Sequence, residues 1–242
     1  MGFRMMNRQR DKFTASIGFF HGAKDCAMVS IAGGLFGFVF GILSHAKGFS
    51  AFNAGFMSTI VYAGSVQMIA LSIWDTQHLA LAGLLMTAYM VSLRFLLMGA
   101  TLQPLLKGTP ALRAYLGMFI LVDENWALTL LKHQKARRKR HYLFSYYLGS
   151  GLIFYLTWIA SSILGNVMGD FIDNPAKFGF DFAFVALFLA LLMGVRRGRR
   201  DILPWATAAI VAIFSAHVLP GAWYIMLGAL SGSIMGVLRD YH

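Results

Sequence analysis

Between Leu116 and Leu131 the chain reads LGMFILVDENWALTLL, with Asp123, Glu124 and Asn125 side by side in a run that is otherwise almost entirely apolar. A soluble domain could leave such a triplet on its surface. The rest of the chain removes that option: only 13% of its residues are charged, about half the usual share of a soluble domain. Apolar runs long enough for a bilayer, roughly 20 residues each, follow one another along the chain. Ionisable groups at such depth are costly and face the bundle interior or an aqueous cavity, with a partner. Any fold for this chain must therefore supply partners for Asp123 and Glu124 inside a membrane.

The expected fold is an all-α integral membrane protein, a polytopic bundle of seven to eight transmembrane helices with some of them short or broken. Candidate crossings are Ala27–His45, Ser50–Trp74, Leu79–Leu102, Leu112–Leu131, Tyr142–Val167, Phe180–Val195, Ile202–Val218 and Ala222–Leu238. The sixth and seventh are short enough for one to be a broken or half-crossing helix. No linker separates two units, so residues 1–242 read as one transmembrane domain, with residues 1–25 a basic cytoplasmic or interfacial segment. Phe13–Asp25 reads either as an interfacial helix or as a partial insertion. The basic start, MGFRMMNRQRDK, is not followed by the compact apolar run and small-residue site of a cleaved signal. The single Cys26 cannot form an internal disulfide.

Charge sets the orientation. With eight crossings and the N-terminus inside, Arg4, Arg8, Arg10, Lys12, Lys24, Lys132, Lys135, Arg137, Arg138, Lys139, Arg140, Arg196, Arg197, Arg199, Arg200 and Arg239 fall inside. Only Lys47, Lys107, Arg113 and Lys177 fall outside, and Arg94 lies within a span. Sixteen against four is a positive-inside pattern with both termini cytoplasmic. The formal net charge of +11 then reflects anchoring on anionic lipid headgroups, and nucleic acid is not expected as a partner. Two spans carry glycine every fourth residue, Gly33, Gly37 and Gly41 in the first and Gly228, Gly232 and Gly236 in the last. Each stripe occupies one helical face and permits close backbone approach, in static packing, in sliding or between subunits.

Three spans hold groups that hydrocarbon rejects: Tyr62, Ser65 and Gln67 in the second, Ser92 and Arg94 in the third, and Asp123, Glu124 and Asn125 in the fourth. Counted from the outer span ends, Arg94, Asp123 and Tyr62 lie roughly 12, 17 and 18 Å deep at about 1.5 Å per residue. These depths fit one shared polar site. Arg94 cannot lose its proton, so its burial demands an anion. Asp123 and Glu124 sit about 100° apart on a helix and cannot both face Arg94. One carboxylate suits a structural counter-ion. The other can line a cavity, where poor solvation disfavours charge on a carboxyl group and makes it a candidate proton carrier. Gly64, amid Tyr62, Ser65 and Gln67, marks either a broken helix or a close packing contact. Asp181 suits an N-cap for the sixth span. No histidine spacing makes a metal site, and no phosphate loop, nucleophile elbow or dinucleotide fingerprint occurs, so neither a cofactor nor an enzyme is expected.

These segments, GGLFGFVFG, VYAGSVQ, SLRFLLMG, LVDENWAL and GFDFAFVALFLALL in this order between Gly33 and Gly236, resemble the AzlC family, the large subunit of two-component branched-chain amino acid exporters. The resemblance implies a multi-pass permease of the bacterial or archaeal plasma membrane that moves leucine, isoleucine, valine and sometimes methionine outward. It also implies a small hydrophobic partner, AzlD, of about four spans. Its functional positions map onto Tyr62, Gln67, Arg94, Asp123 and Glu124, with Ser65, Ser92 and Asn125 beside them. This chain departs from the family at Ser92, Phe95 and Val122, where Asn, His and Thr are frequent, and these positions border the site. The expected activity is proton-coupled amino acid export. The rival reading is a passive channel, or a carrier for another small organic anion, with Arg94 as its selectivity element.

Overall fold

A computed structural model describes residues 2–72, 74, 81–136, 140–172, 189, 193, 198–219 and 223–240. The expected sixth crossing, with Asp181, falls outside the described residues apart from 189 and 193. Among the described residues there are nine α-helices and no strand.

Helix α1 runs unbroken from Gly2 to Ala46. The separate segment expected at Phe13–Asp25 is therefore the first half of the first crossing, whose apolar part extends over Thr14–Ala46. No proline interrupts the chain before Pro104, so nothing forces a break there. Helix α7, Arg140–Met168, is the second long apolar helix. The two lie side by side and parallel: Gly18 meets Tyr142, Gly22 meets Tyr146, Gly33 meets Phe154, Gly37 meets Ser161, and Gly41 meets Ser162 and Asn166. Glycines on α7 answer from the other side, Gly149 against the Phe19 carbonyl and Gly165 against that of Phe38. A Cβ on Gly18, Gly22, Gly149 or Gly165 would run into the partner's backbone. The first glycine stripe is thus a packing surface for α7. The last packs elsewhere, with Gly228 and Gly232 of α9 (Trp223–Asp240) against Ala208 and Ala212 of α8 (Ile202–Val218).

Two expected crossings fold back instead of crossing. Helix α2 (Ala51–Ile60) starts at Ser50, whose hydroxyl accepts the Asn53 N–H at 3.2 Å, and α3 (Gly64–Ser72) follows after three non-helical residues. Laid end to end, helices of this length would separate Ser50 from Trp74 by roughly 30 Å. The Phe49 and Trp74 rings are instead 4.8 Å apart, and Lys47 Nζ donates to the Trp74 carbonyl at 3.4 Å. The segment dips in and returns to the end it left.

Helix α4 (Leu81–Leu106) has the length of a third crossing, roughly 39 Å at 1.5 Å per residue. It ends where α7 begins: Leu102 and Leu105 pack with Tyr142 and Leu143, and Gly108 lies beside Arg140. Helix α4 is therefore antiparallel to α1 and α7, the reverse of the sense expected for the third span. Then α5 (Ala111–Phe119) and α6 (Asp123–Ala136) meet at 117°. Along α7, the Gly117 carbonyl accepts from the Tyr147 hydroxyl, Asn125 abuts Gly151, and Lys132 lies over the Tyr146 ring. The second hairpin also enters and returns, from the opposite end of the bundle.

The described core thus consists of two inverted units. Each has a crossing helix (α1 or α4), a glycine turn in the left-handed region (Gly48, φ 82°, or Gly108, φ 72°), and a folded-back helix pair. The α7 helix braces both. A topology test follows. Cysteines at Ser50 and Trp74 should react with a membrane-impermeant maleimide from one side only, and cysteines at Lys107 and His133 only from the other. Labelling of Ser50→Cys and Trp74→Cys from opposite sides would sink the hairpin; native Cys26 is fully buried and contributes little background.

Candidate functional site

Each hairpin tip is held by one buried carboxamide. At the first, the Ala63 N–H closes on the Val61 carbonyl at 2.8 Å, and α3 begins with the Gln67 N–H bonded to Ala63. The fully buried Gln67 side chain donates to Ser58 Oγ across the hairpin (3.2 Å) and accepts from Trp158 Nε1 (2.9 Å). At the second tip, Asn125 Oδ1 accepts the Val122 N–H at 3.0 Å and its Nδ2 donates to the Ile120 carbonyl at 2.8 Å. The two Asn125 bonds supply backbone partners that the interrupted helix cannot. Asn125 fits because Gly151 faces it; a Cβ there would come within 2.6 Å of Nδ2.

Arg94, near the middle of α4, joins the two tips. Its Nη2 donates to Ser65 Oγ at 3.0 Å on the first hairpin, and its Nη1 lies 3.0 Å from Asp123 Oδ2 on the second. Its Nε is buried and has no partner among the described residues. Asp123 is thereby the counter-ion. Glu124, half-buried, makes no ion pair among the described residues.

A cavity of about 200 Å³ opens between the tips. Its polar wall is Tyr62, Ser65, Arg94, Asp123 and Glu124, and its apolar wall includes Val29, Phe36, Val122, Phe154 and Trp158. Pockets for drug-sized ligands measure roughly 300–1,000 Å³, so this space suits a smaller molecule. Tyr62 is 8% exposed, packs edge-on against Tyr155 at 4.9 Å, and its hydroxyl has no hydrogen-bond partner among the described residues.

Of the eight residues singled out from sequence, five share this cavity. Gln67 and Asn125 lie behind the tips with their amides committed to protein partners. Ser92 is half-buried on α4 and away from the cavity wall. The α1 and α7 walls were not anticipated; Gly33 carried a signal through its stripe, whereas Phe154 and Trp158 carried none. Among the described residues no three His, Cys, Asp or Glu side chains gather closely enough to hold a metal ion.

A family model described as AzlC protein matches residues 28–172, 145 of the 242 residues, which take in α4, both hairpins and all of α7. The chain is similar to the branched-chain amino acid transport protein AzlC of Bacillus subtilis (strain 168), at 26% identity over 86% of this chain and 79% of the relative. It is also similar to the inner membrane protein YgaZ of Escherichia coli (strain K12), at 27% identity over 91% and 88%. An uncharacterised membrane protein of Helicobacter pylori (strain J99 / ATCC 700824) is 27% identical over 84% and 86%. No solved structure matches.

The two carboxamides should behave as structural groups. Asn125→Ala leaves the Val122 N–H and the Ile120 carbonyl without partners, a loss of about 1–3 kcal/mol per buried group. Thermal unfolding in detergent should show Asn125→Ala and Gln67→Leu melting below wild type. An unchanged midpoint for both would remove them from this role.

Proposed function

The chain belongs to the AzlC protein family, and from that premise we propose that it exports branched-chain amino acids through the cavity between its hairpin tips. The observation that carries the reading is the composition of that cavity, which offers donors, a carboxylate in no ion pair among the described residues and an apolar wall in one small space near mid-bundle. Arg94 holds the two tips in register and presents its free Nε to the substrate side. Glu124 meets the substrate ammonium and carries the coupling proton. Val29, Phe36, Phe154 and Trp158 accept an aliphatic side chain.

The protein sits in the plasma membrane with both termini in the cytoplasm. The two folded-back segments favour this orientation, because they move Lys107 and Arg113 to the N-terminal end of the bundle. With the sixth crossing as expected from sequence, eighteen of the 21 Lys and Arg residues then lie at that end, with Lys47 and Lys177 opposite and Arg94 between. Anionic headgroups of the inner leaflet meet the basic end. A small hydrophobic subunit of the AzlD kind completes the exporter.

Efflux of labelled leucine from proteoliposomes, with the small subunit co-reconstituted, tests the assignment. Arg94→Ala and Glu124→Gln should each lower the initial rate at least tenfold, and Glu124→Gln should remove the response to an imposed pH gradient. Wild-type efflux from both variants would overturn it.

A further inference from the structure

The two walls of the cavity are unequal in a way that fixes how a ligand must lie. Helix α3 is nine residues long and starts at the cavity. Its first backbone bond runs from Gln67, so the N–H groups of Gly64, Ser65 and Val66 have no acceptor within the helix. The first turn of α3 holds no acidic residue, and the Ser65 hydroxyl is turned toward Arg94. The positive end of the helix dipole therefore stands unneutralised. On the same cavity wall are the Tyr62 hydroxyl and Arg94 Nε, both buried and both without a partner among the described residues. Every group on this side donates or attracts negative charge.

The facing helix start is the opposite case. The first turn of α6 carries Asp123 and Glu124. Asp123 is taken by Arg94, and Glu124 is in no ion pair among the described residues. One wall thus has donors that lack an acceptor, and the other has an acceptor that lacks a cation. A simple anion would satisfy only the first and a simple amine only the second. A zwitterion with both charged groups on one carbon satisfies both.

We propose that the N-terminus of α3 and the Tyr62 hydroxyl form the seat for the substrate α-carboxylate, with Glu124 holding the α-ammonium across the cavity. This deepens the transport reading above and rests on it. Substrates must then carry both charged groups. 2-Hydroxy acids and amino acid amides of the same shape bind poorly, because each leaves one wall unsatisfied. Tyr62, read from sequence as one of several substrate contacts, becomes the group that distinguishes a carboxylate from its amide.

A ligand–residue cycle tests the seat. Full-length protein in nanodiscs binds labelled leucine, and leucinamide and 2-hydroxy-4-methylpentanoate compete for it. Tyr62→Phe should weaken leucine about tenfold, the scale of one hydrogen bond to a charged group, and leave leucinamide unchanged. Glu124→Gln should weaken leucine and leucinamide alike and leave the hydroxy acid unchanged. Misfolding would lower all ligands together, so leucine and leucinamide falling equally in Tyr62→Phe overturns the seat. Wild-type leucine affinity in Tyr62→Phe also overturns it. Absence of saturable leucine binding to wild type overturns the transport reading, and the seat with it.

Discussion

The positive charge of Arg94 is permanent, and the core of this molecule is arranged around it. A guanidinium near the middle of a membrane helix needs acceptors that hydrocarbon does not offer. They come from Ser65 and Asp123, which lie on separate hairpins entering from opposite ends. The second hairpin supplies the group's counter-charge, and the first adds a further acceptor. Their two tips must reach the same depth, and that requirement sets the length of both. Arms of nine and ten residues on the first hairpin reach roughly half the hydrocarbon thickness.

A broken helix inside a bilayer is tolerated only where protein takes up the freed backbone groups. At the second tip the Asn125 carboxamide takes up the Val122 N–H and the Ile120 carbonyl, whereas at the first the Ala63 N–H closes on the Val61 carbonyl and the buried Gln67 carboxamide ties Ser58 to Trp158. Helix α7 supplies the bracing surface for both. Trp158 bonds Gln67, the Tyr155 hydroxyl holds the Thr59 carbonyl at 2.9 Å, and Gly151 makes room for Asn125. The cavity follows as the gap left between two tips that are fixed from behind and tied together in front.

Much of this was readable in the residues, and the part that was not has a physical reason. The crossing at Ile202–Val218 coincides with α8, and α7 differs from its expected span by two residues at the start and one at the end. Hydropathy reports burial in lipid, and an apolar segment of 25 residues is equally content to cross or to fold back. Ser50–Trp74 and Leu112–Leu131 were therefore indistinguishable from spans. The break at Ile120–Val122 bears no glycine or proline; its cause is Asn125, a residue that looked like part of a ligand site. The depth estimate survived the wrong topology because the middle of a membrane is equally far from both faces. Glycine spacing announced close packing but not its partner. The repeat of crossing and hairpin was hidden because its two halves share geometry and almost no side chains.

The parallel, glycine-faced contact between α1 and α7 bears on how the chain is made. Ninety-three residues separate Ala46 from Arg140, and at roughly 5–20 residues per second this distance takes about 5–20 s to synthesise. Throughout that interval α1 lies in the membrane with its small-residue face uncovered, and the first hairpin lacks Tyr155 and Trp158. Neither inverted unit can finish alone, since the brace of both is translated after them. Assembly is thus a single late event that waits for α7, and a chain ending before Arg140 holds all the ionisable groups of the site without the helix that braces them.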